Sequence, residues 1–224
     1  MNGIRMHWVS GLAALGLVVG LTAGFAVVGA AQSVAGRAFS ASVNTPVGSS
    51  GPSSLAVLPP ITGTDGAEAD ATGSALSVPN ALSATFLNSI TSGELGTAET
   101  GAQSTASAAS VNILNGLITA DEVVANVMSS RTASGAVSIA DGSTFTNLVV
   151  AGVPATFGDA PLAPNTNISL PGVGFVVLNE QIPSGDGVTS SGLTVNMIHV
   201  VLLDIQTGAK TGDIIVSSAS SSVN

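Results

Sequence analysis

Apolar and polar residues of this chain come in short blocks split by turn-formers, and within the blocks they repeat with period two more often than 3.6. In "ASVNILNGLITADEVVANV", residues 109–127, two such blocks flank Asn115-Gly116. That dipeptide suits a two-residue type I′ hairpin, because both of its residues must take positive φ. "STFTNLVVAGVPATF", residues 143–157, repeats the form with Ala151-Gly152 at the tip, and offers Phe145, Leu148 and Val150 for burial. "NISLPGVGFVVLNEQI", "GLTVNMIHVVLLDI" and "GDIIVSSASSSV" follow as three more strands, separated by "PSGDGVTSSG" and "QTGAKTG". In the middle one, period two puts Val195, Met197, His199, Val201 and Leu203 on one face. Thr194, Asn196, Ile198, Val200 and Leu202 take the other. A strand so apolar on both faces belongs in the centre of a sheet.

One segment competes as a helix. In "TADEVVANVMSS" the residues Ala120, Val123, Val124 and Val127 form an apolar stripe, with Thr119 as N-cap and Glu122 completing a capping box. The segment is short and rich in Val, and it leaves a two-residue turn, so the strand reading is preferred. Short strands with frequent turns predict an all-β fold, an antiparallel β-sandwich of jelly-roll type, over residues 76–224. The alternative is a parallel β-helix stacking Leu82, Leu117, Leu148, Leu170 and Leu193, whose spacing is irregular. Residues 32–75 read as an N-terminal strand, "GRAFSASVNTPV", followed by a surface loop rich in Gly, Pro and Ser, with "SLAVL" as a short edge strand.

Composition adds a location. Residues 1–31 carry Arg5 and no acid, then an unbroken run of weakly polar and apolar residues, then "VVGAAQS" with small residues where a signal peptidase reads. The expectation is export with cleavage after Ala30 or Ala31. An uncleaved anchor is the alternative, with Gly16, Gly20 and Gly24 at the spacing of packed membrane helices. All 13 acidic residues lie beyond that segment, against Arg37, Arg131 and Lys210. A chain so acidic lacks the basic footprint that nucleic acid or anionic lipid requires. It has no Cys, so an exported domain must hold together by burying one core of Val, Leu, Ile and Ala. Ser and Thr are expected to supply most of the polar surface.

Candidate chemistry is sparse. Asp121 and Glu122 would point to opposite faces of a strand and so could not flank one glycosidic bond together. Glu180 and His199 could meet across the 184–192 loop, near Asn179, either to orient a water or metal or simply to pin the register. Nucleophilic triads, zinc sites and phosphate loops lack their residues: His199 is the lone His beyond residue 31, and no G-x-S-x-G or G-x-x-x-x-G-K occurs. No cofactor is expected apart from calcium. Asp65, Glu68 and Asp70 in "GTDGAEAD", with Asp159 and Asp186, supply acidic loop oxygens of the kind a hard cation takes.

Four pieces in order, "NGLITADEV", "STFTNLVVAGVPATF", "PNTNISLPGVGFVVLNEQ" and "GLTVNMIHVVLL" with "GDIIVSSAS", resemble the bacterial secreted surface proteins of the choice-of-anchor P family. The likeness spans roughly residues 105 to 220, and more loosely from residue 38. It implies export and attachment at the cell surface, and carries no catalytic signature. These readings predict a non-catalytic, exported structural protein that self-associates into filaments by strand exchange. Its expected contacts are the strand around Phe39 and the C-terminal "DIIVSSASSSV". A monomeric adhesin, calcium-dependent or not, is the alternative, and a carbohydrate-active enzyme a more remote one.

Overall fold

The computed structural model describes residues 32–155 and 162–224. The expected export segment, Phe157 and Asp159 lie outside the described residues. The strands run in order β1 (Val34–Thr45), β2 (Gly48–Ser53), β3 (Ala56–Val57), β4 (Ala67–Val78) and β5 (Leu82–Leu95). Next come β6 (Glu99–Ile113), β7 (Ile118–Thr132), β8 (Gly135–Ile139), β9 (Thr144–Thr146) and β10 (Val149–Val150). The last are β11 (Val153–Pro154), β12 (Thr166–Leu170), β13 (Gly174–Gly185), β14 (Ser191–Leu203) and β15 (Lys210–Val223).

They form two sheets. The first runs β12-β13-β14-β15-β1-β2, with β3 also on β1. The second runs β11-β10-β7-β6-β5-β4, with β8 and β9 also on β7. Every pairing among the described residues is antiparallel. The β1 strand packs over β5 and β6, β15 over β6 and β7, and β14 over β7. This is the predicted sandwich, and the β-helix is excluded because its neighbours would be parallel. The connections are two meanders closed by the pairing of β15 with β1, simpler than the crossings of a jelly roll.

Both hairpin tips are where the turn-formers stand. Ile113 pairs with Ile118 around Asn115 (φ 57°) and Gly116 (φ 90°), and Val150 pairs with Val153 around Ala151 (φ 50°) and Gly152 (φ 77°). The helical reading of "TADEVVANVMSS" gives way to β7, whose Val123 and Val127 pack inward while the strand pairs with β6 and its short neighbours. The loop expected over residues 48–74 is corrected too, apart from its short strand "SLAVL", which holds β3. The β2 and β3 strands extend the first sheet beside β1, and β4 matches β5 from Ala67–Gly93 to Val78–Leu82. "AEADATGSALSV" has almost none of the branched residues that mark a strand, so long-range pairing decides its conformation.

Period two fails along one line across each sheet. In the second sheet, each of four adjacent strands turns two consecutive residues outward: Ser74-Ala75, Thr85-Phe86, Ala109-Ser110 and Asp121-Glu122. Ala75, Thr85, Ala109 and Glu122 are neighbours in register, so the switches align. In the first sheet the aligned switches turn residues inward at Leu178-Asn179, Met197-Ile198, Val216-Ser217 and Ser40-Ala41. Left-handed backbone makes the turn on alternate strands, at Asn179 (φ 50°) and Ser217 (φ 53°), and on neighbouring strands of the other sheet at Phe86 (φ 48°) and Ser110 (φ 49°). Each such residue costs about 1–2 kcal/mol against ordinary backbone, so the surrounding pairing must impose it.

The line also divides the interior. Toward the Asn115-Gly116 hairpin the two sheets bury Val43, Leu82, Ile113, Ile118, Leu148, Leu178, Val200 and Ile214. On the other side the layer is rich in small and hydroxyl residues. Ser40 bonds Ser89 at 3.2 Å, Thr91 bonds Ser104 at 2.8 Å, and Ser129 bonds Ser221 at 2.7 Å. Small residues let the sheets approach there: a Cβ added to Gly36 would sit 2.0 Å from Thr91 Oγ1. Most Ser and Thr stand at least partly exposed, as composition suggests, but these six are interior, and their hydroxyls are paired as burial requires.

Candidate functional site

The Asp121-Glu122 pair falls on the line where β7 switches faces, so both side chains are exposed on the outer side of the second sheet. The expectation that they point apart is thus corrected. Asn147 Nδ2 donates to Asp121 Oδ2 at 2.6 Å, and Glu122 stands beside Thr146 of β9. That bond and the open surface account for the pair as a tie between β7 and the crossing segment.

The acids expected in loops are placed otherwise. Glu68 and Asp70 are strand residues on β4, exposed on its outer face, opposite Ser92 and Ile90. Asp65 lies in the connection before them. A strand spaces the two carboxylates along a rigid line, the opposite of the flexible loop on which a calcium site was expected. Asp186 is consumed by its own loop: Oδ1 accepts the amides of Val188, Thr189 and Ser190 at 2.9, 2.8 and 2.8 Å, and Oδ2 accepts Thr189 Oγ1 at 2.6 Å. These donors, the Thr189 hydroxyl first, hold its carboxyl far below the usual carboxylate range. Among the described residues no three His, Cys, Asp or Glu side chains gather as a metal site.

Glu180 and His199 do meet, across the β13–β14 hairpin. Glu180 Oε2 accepts His199 Nδ1 at 2.9 Å and Asn196 Nδ2 at 2.7 Å. His199 Nε2 is buried without a hydrogen-bond partner, 3.9 Å from Asp213 Oδ2, which Lys210 Nζ contacts at 2.9 Å. Asn179, expected beside them, instead donates to the Leu162 carbonyl at 2.9 Å. The predicted face of β14 is split by the Met197-Ile198 switch: Val195 and Met197 point inward while His199 points outward. The cluster is a row of polar contacts across three strands, β13, β14 and β15, tying their outer face together.

The remaining feature is the pair of strands expected as contacts. From Val34–Val223 to Asn44–Asp213, β1 and β15 pair with each other in the middle of the first sheet, so neither offers a free edge. The outer strands are different. Pro52 stands in β2, Pro154 in β11 and Pro183 in the half of β13 that β12 leaves uncovered, while β12 and β8 span five residues each. Proline and shortness both discourage a further strand from adding. By contrast, β4 runs twelve residues with no Pro and no Lys, and among the described residues nothing pairs with its outer side. The signal for it in the sequence was negative, a stretch free of Pro and Lys, and could be read only once a strand was known to lie there.

The chain matches no family model, no curated protein and no solved structure.

Proposed function

We propose that this chain is an exported, non-catalytic structural protein of the cell surface that assembles by adding sheet edge to sheet edge. The observation that carries the reading is β4, the one long outer strand among those described that bears neither Pro nor Lys. Unpaired backbone amides and carbonyls along such a strand form a template for another strand. The resemblance to the choice-of-anchor P family and the expected export signal support the location. Because β1 and β15 are locked together, assembly without unfolding uses the outer strands in place of the termini. Electron microscopy of the protein recovered from the surface of producing cells, with mass spectrometry of its N-terminus, tests this. Filaments or ordered oligomers whose subunit begins near Ala31 or Gln32 support it. Single particles, or a chain retained in the cytoplasm, contradict it.

A groove favours a second reading, a monomeric binding module. On the outer face of the second sheet, Glu68, Glu94, Glu99, Gln103 and Met128 line a cleft of about 570 Å³. Its three carboxylates make the cleft acidic without gathering as one metal site. A concentration-dependent rise in melting temperature with calcium chloride, in a protein that stays monomeric, would favour this reading over assembly.

A further inference from the structure

Resting on the self-assembly reading, we infer that the partner of β4 is β4 of a second copy, paired antiparallel about a two-fold axis between Ser74 and Ala75. Three observations lead to this register.

The first is the switch of faces. Residues Glu68, Asp70, Thr72 and Ser74 of β4 face outward, and beyond the switch the outward residues are Ala75 and Ser77. Two antiparallel copies can keep outward opposite outward along their length only if both switches lie on the axis. Thr72 then faces Ser77 of the partner subunit, Ser74 faces its Ala75, and inward Gly73 faces its Leu76. The hydroxyl pair is a favourable neighbour across strands. Any other register sets outward residues of one copy against inward residues of the other near the middle.

The second is charge. Both acids of β4, Glu68 and Asp70, lie in its first half. About this axis they fall past the end of the partner's β4, so carboxylates never stand opposite one another. A parallel pairing in register would align them, which is unfavourable.

The third is Phe86. It is 78% exposed and held at φ 48°, between the Gly73–Leu87 and Ala75–Thr85 pairs that join its strand to β4. A large aromatic in left-handed backbone on open surface is an outlier. Across the two-fold axis, the rings of both copies flank the small Ser74 and Ala75 on the same face, where assembly would shield them. The interface is isologous, so it closes as a dimer.

Cysteine cross-linking tests the register in a chain that has no cysteine of its own. Thr72→Cys and Ser77→Cys are made separately in the full chain, both at exposed outer-face positions. Residues directly opposite in a ladder lie about 4.5–5.5 Å apart between Cα atoms, within disulfide reach. Mixed and oxidised, the two variants give about tenfold more covalent dimer than either alone, since Thr72 is opposite Ser77 and not itself. Equal cross-linking in all three samples, or none in the mixture, overturns the register. Light scattering of the unmodified chain separates the two failures. Association without the cross-link means another surface assembles the protein and this inference fails alone, while a monomer at every concentration defeats both readings.

Discussion

Asn196 and His199 both donate to one oxygen of Glu180, at 2.7 and 2.9 Å, although they are three residues apart on the same strand. Strict alternation would put them on opposite faces. The switch at Met197-Ile198 brings them to one side, where Glu180 of β13 stands opposite Asn196. Replacing Glu180 with Ala leaves two largely buried donors unpaired and costs about 1–3 kcal/mol in urea denaturation. Glu180→Gln keeps one acceptor and loses less. Equal stability of the Ala variant and the parent would show that the cluster contributes nothing to holding the outer face.

The close approach of the sheets at the hydroxyl-rich end sets a second expectation. Gly36→Ala drives a methyl into Thr91 and costs about 1–3 kcal/mol. Because the nearest obstacle is the Thr91 hydroxyl, with Ser104 Oγ next at 2.9 Å, adding Thr91→Ala returns part of the loss, visible as a favourable coupling in a double-mutant cycle of thermal denaturation. Purely additive losses would mean the sheets are not in contact there.

At Gly116 the cost has another origin. A Cβ there meets nothing within 4 Å, but φ is 90°. Gly116→Ala therefore destabilises by roughly 1–2 kcal/mol through backbone strain alone, and no partner substitution relieves it. A rescue by trimming any neighbour would contradict this account of the hairpin.

The Asp186 loop gives a pH dependence whose sign follows from its depressed pKa. Its stabilising bonds are fully present above the ordinary carboxylate value, about 3.9, and are lost only as pH falls through the much lower folded value. Amide resonances of Val188, Thr189 and Ser190 thus hold steady from neutral pH down past the range where exposed carboxylates titrate. In Asp186→Asn these amides exchange faster at every pH. A midpoint near that of a free carboxylate would show that the loop bonds do not form in solution.

How much of this was legible depended on whether the signal was local. Asn115-Gly116 and Ala151-Gly152 carry the conformations their turns need, so both hairpins were readable. The meeting of Glu180 with His199 followed from a hairpin across a loop rich in Gly and Ser. What escaped was set by distant partners. Nothing in "AEADATGSALSV" marks a strand until Leu82–Gly93 lies beside it. The face switches fall on Phe86, Ser110, Asn179 and Ser217, residues with no common chemistry, so period two misplaced Glu122 and His199. Interior hydroxyls were hidden for the same reason: Ser40 and Ser129 look like surface residues until Ser89 and Ser221 arrive from the facing sheet.

Sedimentation velocity of two charge variants tests the central claim, that copies join along β4. Thr72→Asp/Ser77→Asp sets like charges opposite one another twice across the proposed axis, and Thr72→Lys/Ser77→Lys does the same with the other sign. The account predicts that the parent associates, each variant alone sediments as a monomer, and an equal mixture of the two returns to the dimer. Variants that associate as the parent does, or a mixture that stays monomeric, would contradict it.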